Sequence, residues 1–538
     1  MQPRLIGGRI GRDEPDAAKA VLLHHPPQHQ PRGIGRDAGA QPQADRQRLV
    51  MMQADGAALA AVPDDRGGLG MGQQARGVAH PRLVIAVREQ VRRAVHRQAA
   101  EQRRHPRQVA QHRDRRALHH RVAGGGDGGD RHRAFVHQHP RIVPSPPPFR
   151  QGLVRVQYGS MEQRGYALVL GAGIIGLSTA WALQRRGWTV RVVDQATPPN
   201  PAGASVDHHR LIRHAYGAQQ GYMRMVDDAY AAWDRVWADL GEAHYEETGV
   251  LALDEGGGAW LPASREAMRG HGLAMDELTP DQVAGRFPFF TGQGVAEAFF
   301  APRGGVLLAE PIVAGLADHL ARRGVEFIRA TVTDVRERRL TLADGTALTA
   351  DKVIVCAGPW APRLLPGLKG RVTASRQIIV RLEAPAELAE AWARAPMLLD
   401  LAHEGGFYMV PPVRGTPIKV GDHSFSLTGD AEDDRNASSQ EAETILALAA
   451  RRIPGLDRYR RLGARACYYD VEPAEEFLAE TVAPGTLVLS GFSGHGFKFG
   501  PVLGEAVANA LGDTALMPYL PGWAAGRESA APGLLRAD

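Results

Sequence analysis

Twenty-eight residues, Ala167 to Asp194, constrain this chain more than any other stretch. A short apolar run, Leu168 to Leu170, meets Gly171-Ala172-Gly173-Ile174-Ile175-Gly176. A helical pattern then runs to Arg186 and stops at Gly187, and a second β-branched run, Val190 to Val193, ends in Asp194. Strand, glycine-rich turn, helix, strand and acid, in that register, make a dinucleotide-binding unit. Gly171 permits the tight turn, Gly173 lets backbone N–H groups approach a pyrophosphate, and Gly176 lets the helix pack closely on the strand. The helix start adds free N–H groups and a partial positive charge. Asp194, 18 residues beyond Gly176, is spaced to accept a hydrogen bond from a ribose 2′-OH. A glycine turn without function would need none of the flanking features, so the stretch predicts an α/β, Rossmann-like domain that holds a dinucleotide.

The charge of the chain is divided. Residues 1–160 carry 27 Lys and Arg against 13 Asp and Glu, with 12 His, whereas residues 161–538 carry 37 against 46. The basicity therefore belongs to the first segment and says nothing about partners of the remainder. That segment is rich in Arg, His, Gln, Gly and Pro, and its apolar residues hold neither a helical nor a strand period for long. It cannot bury enough apolar surface to offset the ordering of its backbone. Met161 stands six residues before the nucleotide-binding run, so residues 1–160 are expected to be disordered or a spurious upstream extension. An Arg-rich nucleic-acid arm is the rival, disfavoured by interspersed acids and scarce aromatic residues. A targeting peptide lacks its apolar segment.

No uninterrupted apolar run reaches membrane-spanning length. Two cysteines, Cys356 and Cys467, exclude a disulfide scaffold and paired-cysteine metal sites. The expectation is a cytoplasmic monomer with no metal, no membrane and no nucleic-acid partner.

Beyond Asp194, prolines 198, 199 and 201 make a loop that leads to a charged stretch, Ser205 to Gly217. A helix follows, with Tyr222, Met225, Val226, Ala229, Tyr230, Trp233, Val236, Trp237 and Leu240 along one face, read as a core stripe. A strand is expected near Thr248–Leu253, with helical patches near 262–270 and 280–286. Pro311 should start a helix that Gly324 ends. A strand over Val325–Ile328 and an antiparallel pair turning at Asp344-Gly345 come next. Asp351 to Trp360 reads as a buried parallel strand running into a second glycine turn at Gly358. Strand-like periodicity over Gln377–Leu382, Gly406–Val410 and Ile418–Asp422 precedes an amphipathic helix over Glu441–Arg452. A buried strand, Leu487–Ser490, a turn containing Gly494, His495 and Gly496, and a helix from Pro501 to Leu511 then repeat the nucleotide-binding arrangement. The dinucleotide domain is thus expected to be discontinuous, over 161–245, 305–370 and 463–525. Residues 246–304 and 371–462 should form an interleaved α+β substrate domain on a mixed or antiparallel sheet, and 526–538 a tail.

Lysine is scarce in the folded portion, where only Lys352, Lys369, Lys419 and Lys498 occur. Lys419 stands in an apolar strand and Lys498 lies between two phenylalanines in the glycine turn, settings in which a compact ammonium differs from the guanidinium this sequence prefers. A snorkelling surface lysine is the alternative for each.

GAGIIGLSTAWAL, RLIRHAYG, ETGVLAL, the strand ending CAGPW, IKVGDHSF, ACYYD and GFSGHGFKFGPVLGE occur in the order and approximate spacing of the monomeric sarcosine oxidase and N-methyltryptophan oxidase family, which the chain resembles over about 161–515. That family is similar in turn to D-amino-acid oxidase. The resemblance implies FAD, attached through a thioether from Cys467 to the flavin 8α position. It implies that Arg213 and Lys498 hold a substrate carboxylate, that Arg210 lies over the flavin, and that Lys419 promotes reaction of the reduced flavin with oxygen. Tyr408 and His423 would shape the amine pocket, Tyr469 would line it, and His495 would sit near the flavin pyrimidine as a source of positive charge. Cys356 is assigned to packing. Two departures stand out: Val206 replaces a frequent active-site histidine, and Asp470 stands where threonine is usual.

The implied reaction is oxidation of a small N-methyl amino acid such as sarcosine to an imine, with O2 reduced to H2O2. Alternatives are a flavin dehydrogenase or oxidase acting on a bulkier or cyclic secondary amino acid, and, from another class, a nucleotide-binding regulatory protein using the basic arm. If the oxidase reading holds, Lys419, Lys498 and Cys467 must converge on one cleft beside the Gly171 turn.

Overall fold

In the computed structural model, which describes residues 164–402 and 405–537, Tyr166–Leu170 is a central strand of a six-stranded sheet. The order across that sheet is Leu478–Ala483, Thr486–Ser490, Lys352–Val355, Tyr166–Leu170, Thr189–Asp194, Glu326–Arg329. All pair in parallel except the Leu478–Ala483 edge. The chain leaves Tyr166–Leu170 toward one side and returns on the other, so strand order reverses between Tyr166–Leu170 and Lys352–Val355. Open α/β sheets bind ligands at such a switch point, outside the carboxyl ends of the strands. Three separated stretches build this one sheet.

The helix Ile174–Arg185 is buried along nearly its whole length. It meets the helix Gly500–Gly512 at very close range, because a Cβ on Gly504 would lie 2.4 Å from the Ser178 carbonyl oxygen. The helix Gln220–Leu240 buries Tyr222, Met225, Val226, Ala229, Trp233 and Val236, with Tyr230, Trp237 and Leu240 packed at the edge of the same core. The stripe read from the sequence is a core face.

A second, eight-stranded sheet runs Arg460–Val471, Thr373–Glu383, Ile418–Asp422, Phe407–Val410, Met397–Asp400, Val250–Asp254, Glu297–Ala301, Asp276–Glu277. It is mixed: one pair, Met397–Asp400 with Val250–Asp254, is parallel. One face, bearing Val380, Met409, Ile418 and Val420, packs in a cluster with Ala442, Ile445 and Ala449 of the helix Ser439–Ala450. A capping box fixes the start of that helix: Ser438 Oγ accepts from the Glu441 amide at 3.2 Å, and the Glu441 carboxylate accepts from the Ser438 amide at 2.7 Å. Alternation puts Lys419 and Tyr408 on the opposite face.

Several elements depart from expectation. The helix expected from Pro311 begins at Ala309, with Pro311 at its third position, where the missing N–H is still one the helix does not use. The charged stretch after Ser205 contains a strand, His209–Ile212, which joins Gly305–Leu308 and Tyr245–Glu247 in a small antiparallel sheet. Arg460–Val471, which carries Cys467, belongs to the eight-stranded sheet rather than to the first. The supposed tail docks: Leu534 is fully buried, and Asn509 Nδ2 donates to its carbonyl at 2.9 Å. The pair turning at Asp344-Gly345 forms as read, with Gly345 at φ +84°. Among the described residues no helix is long and apolar enough to cross a membrane. The readings made for residues 1–160 lie outside the described residues.

Candidate active site

A cleft of about 390 Å³ opens at the switch point. Its near wall is the glycine turn. Gly171 has φ +109°, and a Cβ there would lie 2.3 Å from the Cys356 carbonyl oxygen; a Cβ on Gly176 would lie 1.8 Å from the Gly171 carbonyl oxygen. These backbone approaches admit no side chain. Gly173 faces Ser205, whose hydroxyl accepts from the Ile174 amide at 3.0 Å. Asp194 closes this end. Its carboxylate accepts from the amides of Ala172 (2.7 Å) and Ala196 (2.9 Å) and from Asn200 Nδ2 (3.0 Å). A carboxylate offers about four acceptor positions, which leaves one for a sugar hydroxyl.

Gly358, at φ +50°, Cys356, Arg210, Tyr469, Gly494, Gly496 and Phe497 also line the cleft. Gly494 is pressed against the Tyr469 ring, 2.6 Å from where its Cβ would be. Cys356 packs as expected, its thiol pushed up to about 12 by burial. A cleft that combines a glycine cradle, a residual acceptor on Asp194 and the cationic Arg210 fits a dinucleotide.

The two informative lysines and the strand cysteine belong to three different elements; none of the three lines the cleft itself, but each stands behind residues that do, Arg210 beside Lys419 and Cys467, and Phe497 next to Lys498 in the chain. Lys419 Nζ, nearly inaccessible, donates to Asp207 Oδ2 and to the His209 carbonyl, both at 2.8 Å. Asp207 also takes Arg210 Nη1 at 3.3 Å and Arg381 Nη2 at 3.4 Å. Three cations hold this carboxyl well below the usual carboxylate range, against the opposing effect of its burial. Cys467 precedes the cleft-lining Tyr469 by two residues on the same face of the strand Arg460–Val471 and lies within electrostatic reach of Arg210, Lys419 and Arg465.

Lys498 Nζ donates to the Tyr216 hydroxyl and to the His495 carbonyl, both at 2.9 Å. The Arg213 guanidinium stacks 4.6 Å from the Tyr216 ring centroid and 5.4 Å from that of Trp260. Burial lowers both cations, and for Lys498 the nearby Arg213 adds to the effect. Among the described residues Arg213 Nη1 has no hydrogen-bond partner, nor has Nε2 of His423, whose own lowering to about 4 stems from burial and then from Arg213. The His423 and Tyr408 ring centroids lie 5.9 Å apart, and Tyr408 is hydrogen-bonded to Tyr469. The predicted polar groups other than Asp194 are therefore in one contiguous cluster, which borders the cleft at Arg210 and Tyr469.

His495 differs from its expected part. Its imidazole packs among Tyr216, Tyr222, Phe477 and Phe499. Burial, then Lys498 and Arg213, drive it well below its ordinary value. Those surroundings disfavour the imidazolium expected to supply positive charge here. Sequence reasoning missed Asp207, Tyr216, Arg381 and Glu475, a buried carboxyl within electrostatic reach of Arg213. Asp207 carried one signal: it is the acid at the head of a run (His208, His209, Arg210, Arg213, His214) otherwise made of basic and imidazole groups. Asp470, the unusual residue, accepts from the Gly491 amide at 2.8 Å and Ser490 Oγ at 3.2 Å, tying the cysteine strand to the turn of Gly494.

Residues 167–510 match the family described as FAD dependent oxidoreductase. The chain belongs to this family. Its members' cofactor is the dinucleotide that the cleft fits, and the chain is an FAD-dependent oxidoreductase. It is 29% identical over 351 residues to N-methyl-L-tryptophan oxidase of Yersinia pestis (strain Pestoides F), a match covering 63% of this chain and 93% of that protein. Among solved structures it shares its fold with glycine oxidase from Geobacillus kaustophilus (TM-score 0.56, 20% identity, 64% of this chain and 94% of that one). It shares it also with L-proline dehydrogenase from P. horikoshii (TM-score 0.58, 18% identity, 68% and 98%).

Proposed function

We propose that this flavoenzyme oxidises the C–N bond of an N-methyl or cyclic secondary amino acid bulkier than sarcosine, with O2 as electron acceptor. The observation that carries the reading is the pair Arg213 and Lys498: two buried cations, one with an unpartnered N–H among the described residues, and neither in a direct ion pair there, Glu475 acting on Arg213 only at longer range. A buried cation without a direct ion-pair partner is costly, and a substrate carboxylate supplies one. Arg213 binds it as a fork and Lys498 as a point charge. His423 Nε2 and the Tyr408–Tyr469 pair then border the amine. Val206, in place of a histidine, and the relative that acts on N-methyl-L-tryptophan favour a larger substrate over sarcosine.

Gly171, Gly173, Gly176, Asp194, Gly358, Gly494 and Gly496 would hold the FAD, with Arg210 beside its ring and Cys467 as the site of a thioether. The flavin supplies the two-electron acceptor, and O2 then receives those electrons and two protons as H2O2. Lys419 supplies the fixed positive charge that developing negative charge on oxygen requires. The protein otherwise orients the substrate and excludes water.

A panel of N-methyl and cyclic secondary amino acids, scored by flavin bleaching and by peroxide release, tests the assignment: bulky members should exceed sarcosine in kcat/KM, and no bleaching by any member would refute it. Bleaching without peroxide would assign the electrons to another acceptor. Acid precipitation of the holoenzyme should leave the yellow colour in the pellet, and Cys467→Ser should release it; a colourless wild-type pellet would exclude the thioether.

A further inference from the structure

Lys419 is held in a way the oxygen reaction alone does not explain. Its ammonium is 3% exposed and reaches the carboxylate of Asp207, itself 5% exposed, from 212 positions away in sequence. The groups facing it come from every neighbouring element. The strand His209–Ile212 presents His209 and Arg210. Thr373–Glu383 presents Arg381, directly opposite Lys419 in the strand register. Phe407–Val410 presents Tyr408, with its ring centroid 5.9 Å from Nζ. Arg460–Val471 presents Arg465, Cys467 and Tyr469. Asp207 is the one carboxylate among these. Three cations share it, so it does not cancel their field: Arg210 and Arg381 leave the cluster positive with Asp207 ionised.

We propose that Asp207 is a positioning residue: its carboxylate is the counter-ion that fixes Lys419 on the cleft side of the eight-stranded sheet and keeps it an ammonium. This rests on the reading of Lys419 as the oxygen-side cation. Without Asp207 the amine would be buried beside two guanidinium groups with no anion to oppose them, and the neutral form would win. Burial already pulls Lys419 down and Asp207 is the largest opposing influence. The carbonyl of His209 stays as an acceptor, but a carbonyl serves a neutral amine as well as an ammonium.

The test uses holoenzymes of the wild type, Asp207→Asn, Asp207→Glu, Lys419→Met and the double variant Asp207→Asn/Lys419→Met, between pH 6 and 9. Two quantities are read against wild type at each pH: the rate constant for reoxidation of the reduced enzyme by O2, and the affinity of the oxidised flavin for sulfite, which reports nearby positive charge without any oxygen step. In Asp207→Asn both should fall at least tenfold, relative to wild type, as pH rises across this range. Asp207→Glu should restore the wild-type profile, and the double variant should show no such fall. An Asp207→Asn enzyme that tracks wild type in both readouts, or a fall that persists in the double variant, overturns the proposal. If Lys419→Met reoxidises at the wild-type rate, the oxygen role of Lys419 fails, while the sulfite profile still decides the counter-ion role. Should Asp207→Asn not retain flavin, melting of the apoproteins decides: adding Lys419→Met should recover at least half of the melting temperature lost, and no recovery overturns the proposal.

Discussion

Gly176→Ala tests the geometry on which cofactor binding depends. In an ordinary helix the change stabilises, by about 1 kcal/mol. Here the new Cβ would stand 1.8 Å from the carbonyl oxygen of Gly171 and 2.9 Å from its carbonyl carbon. Real Cβ contacts almost never fall below 3.0 Å, so the helix start must retreat from the turn by at least about 1.2 Å. Its neighbours cannot yield, because the obstructing atoms are backbone, locked by the amide of Gly171 on the Val193 carbonyl at 2.8 Å. Overpacking of this kind costs about 1–3 kcal/mol and can exceed that. Because the obstruction is backbone, the upper end of that range applies, and after the propensity gain the expected net loss is about 2 kcal/mol. On the scale of a 150–250-residue domain that lowers the melting temperature by about 4–8 °C, and by somewhat less in a chain of this size. Withdrawing the helix start also removes N–H groups from the pyrophosphate position, so FAD content should fall more steeply than stability. The assay is thermal melting of the apoprotein together with the ratio of flavin to protein absorbance. Gly285→Ala is the matched control: it lies in the short helix Pro280–Arg286 with open space around its Cβ position, and should stabilise by about 0.5–1 kcal/mol. A Gly176→Ala protein that melts at or above the wild-type temperature with full flavin would refute the reasoning.

Three further outcomes follow from particular contacts. Arg213→Met removes a charge-assisted bond of about 1.5–3 kcal/mol, so steady-state kinetics should show KM raised about 10- to 150-fold with a smaller change in kcat; an unchanged KM would move the carboxylate elsewhere. Asp470 is pushed up to about 6 by burial, from 3.8. A carboxyl raised in the folded state stabilises fully below its unfolded value, and that contribution, about 3 kcal/mol, is lost as pH rises through about 6. Asp470→Asn should flatten this part of the stability profile between pH 4 and 8 and melt higher than wild type at pH 8. Arg452 reaches Asp400 at 3.1 Å and Glu255 at 3.0 Å, with Arg452 and Asp400 both buried. Arg452→Met should destabilise by about 3–5 kcal/mol at neutral pH in denaturant melts, with partial recovery in acid as Asp400 takes a proton.

Much of this was legible in the letters, for a local reason. The turn of Gly171, the acid at Asp194, the apolar stripe of Gln220–Leu240 and the alternation around Lys419 are set by residues within a few positions of one another, and periodicity reads such relations directly. Glycine announces close backbone approaches because nothing else fits them, and the scarcity of lysine marked two positions that proved nearly inaccessible. Tertiary structure alone decided what crosses those distances. That His209–Ile212 is a strand depends on partners at Gly305–Leu308. That the imidazolium form of His495 is disfavoured depends on the aromatic rings and cations assembled around it. That Asp207 receives Lys419, Arg210 and Arg381 together follows from two sheets meeting beside one cleft. A charge in a sequence has no solvent and no neighbours; the fold supplies both, and with them the protonation state on which the chemistry turns.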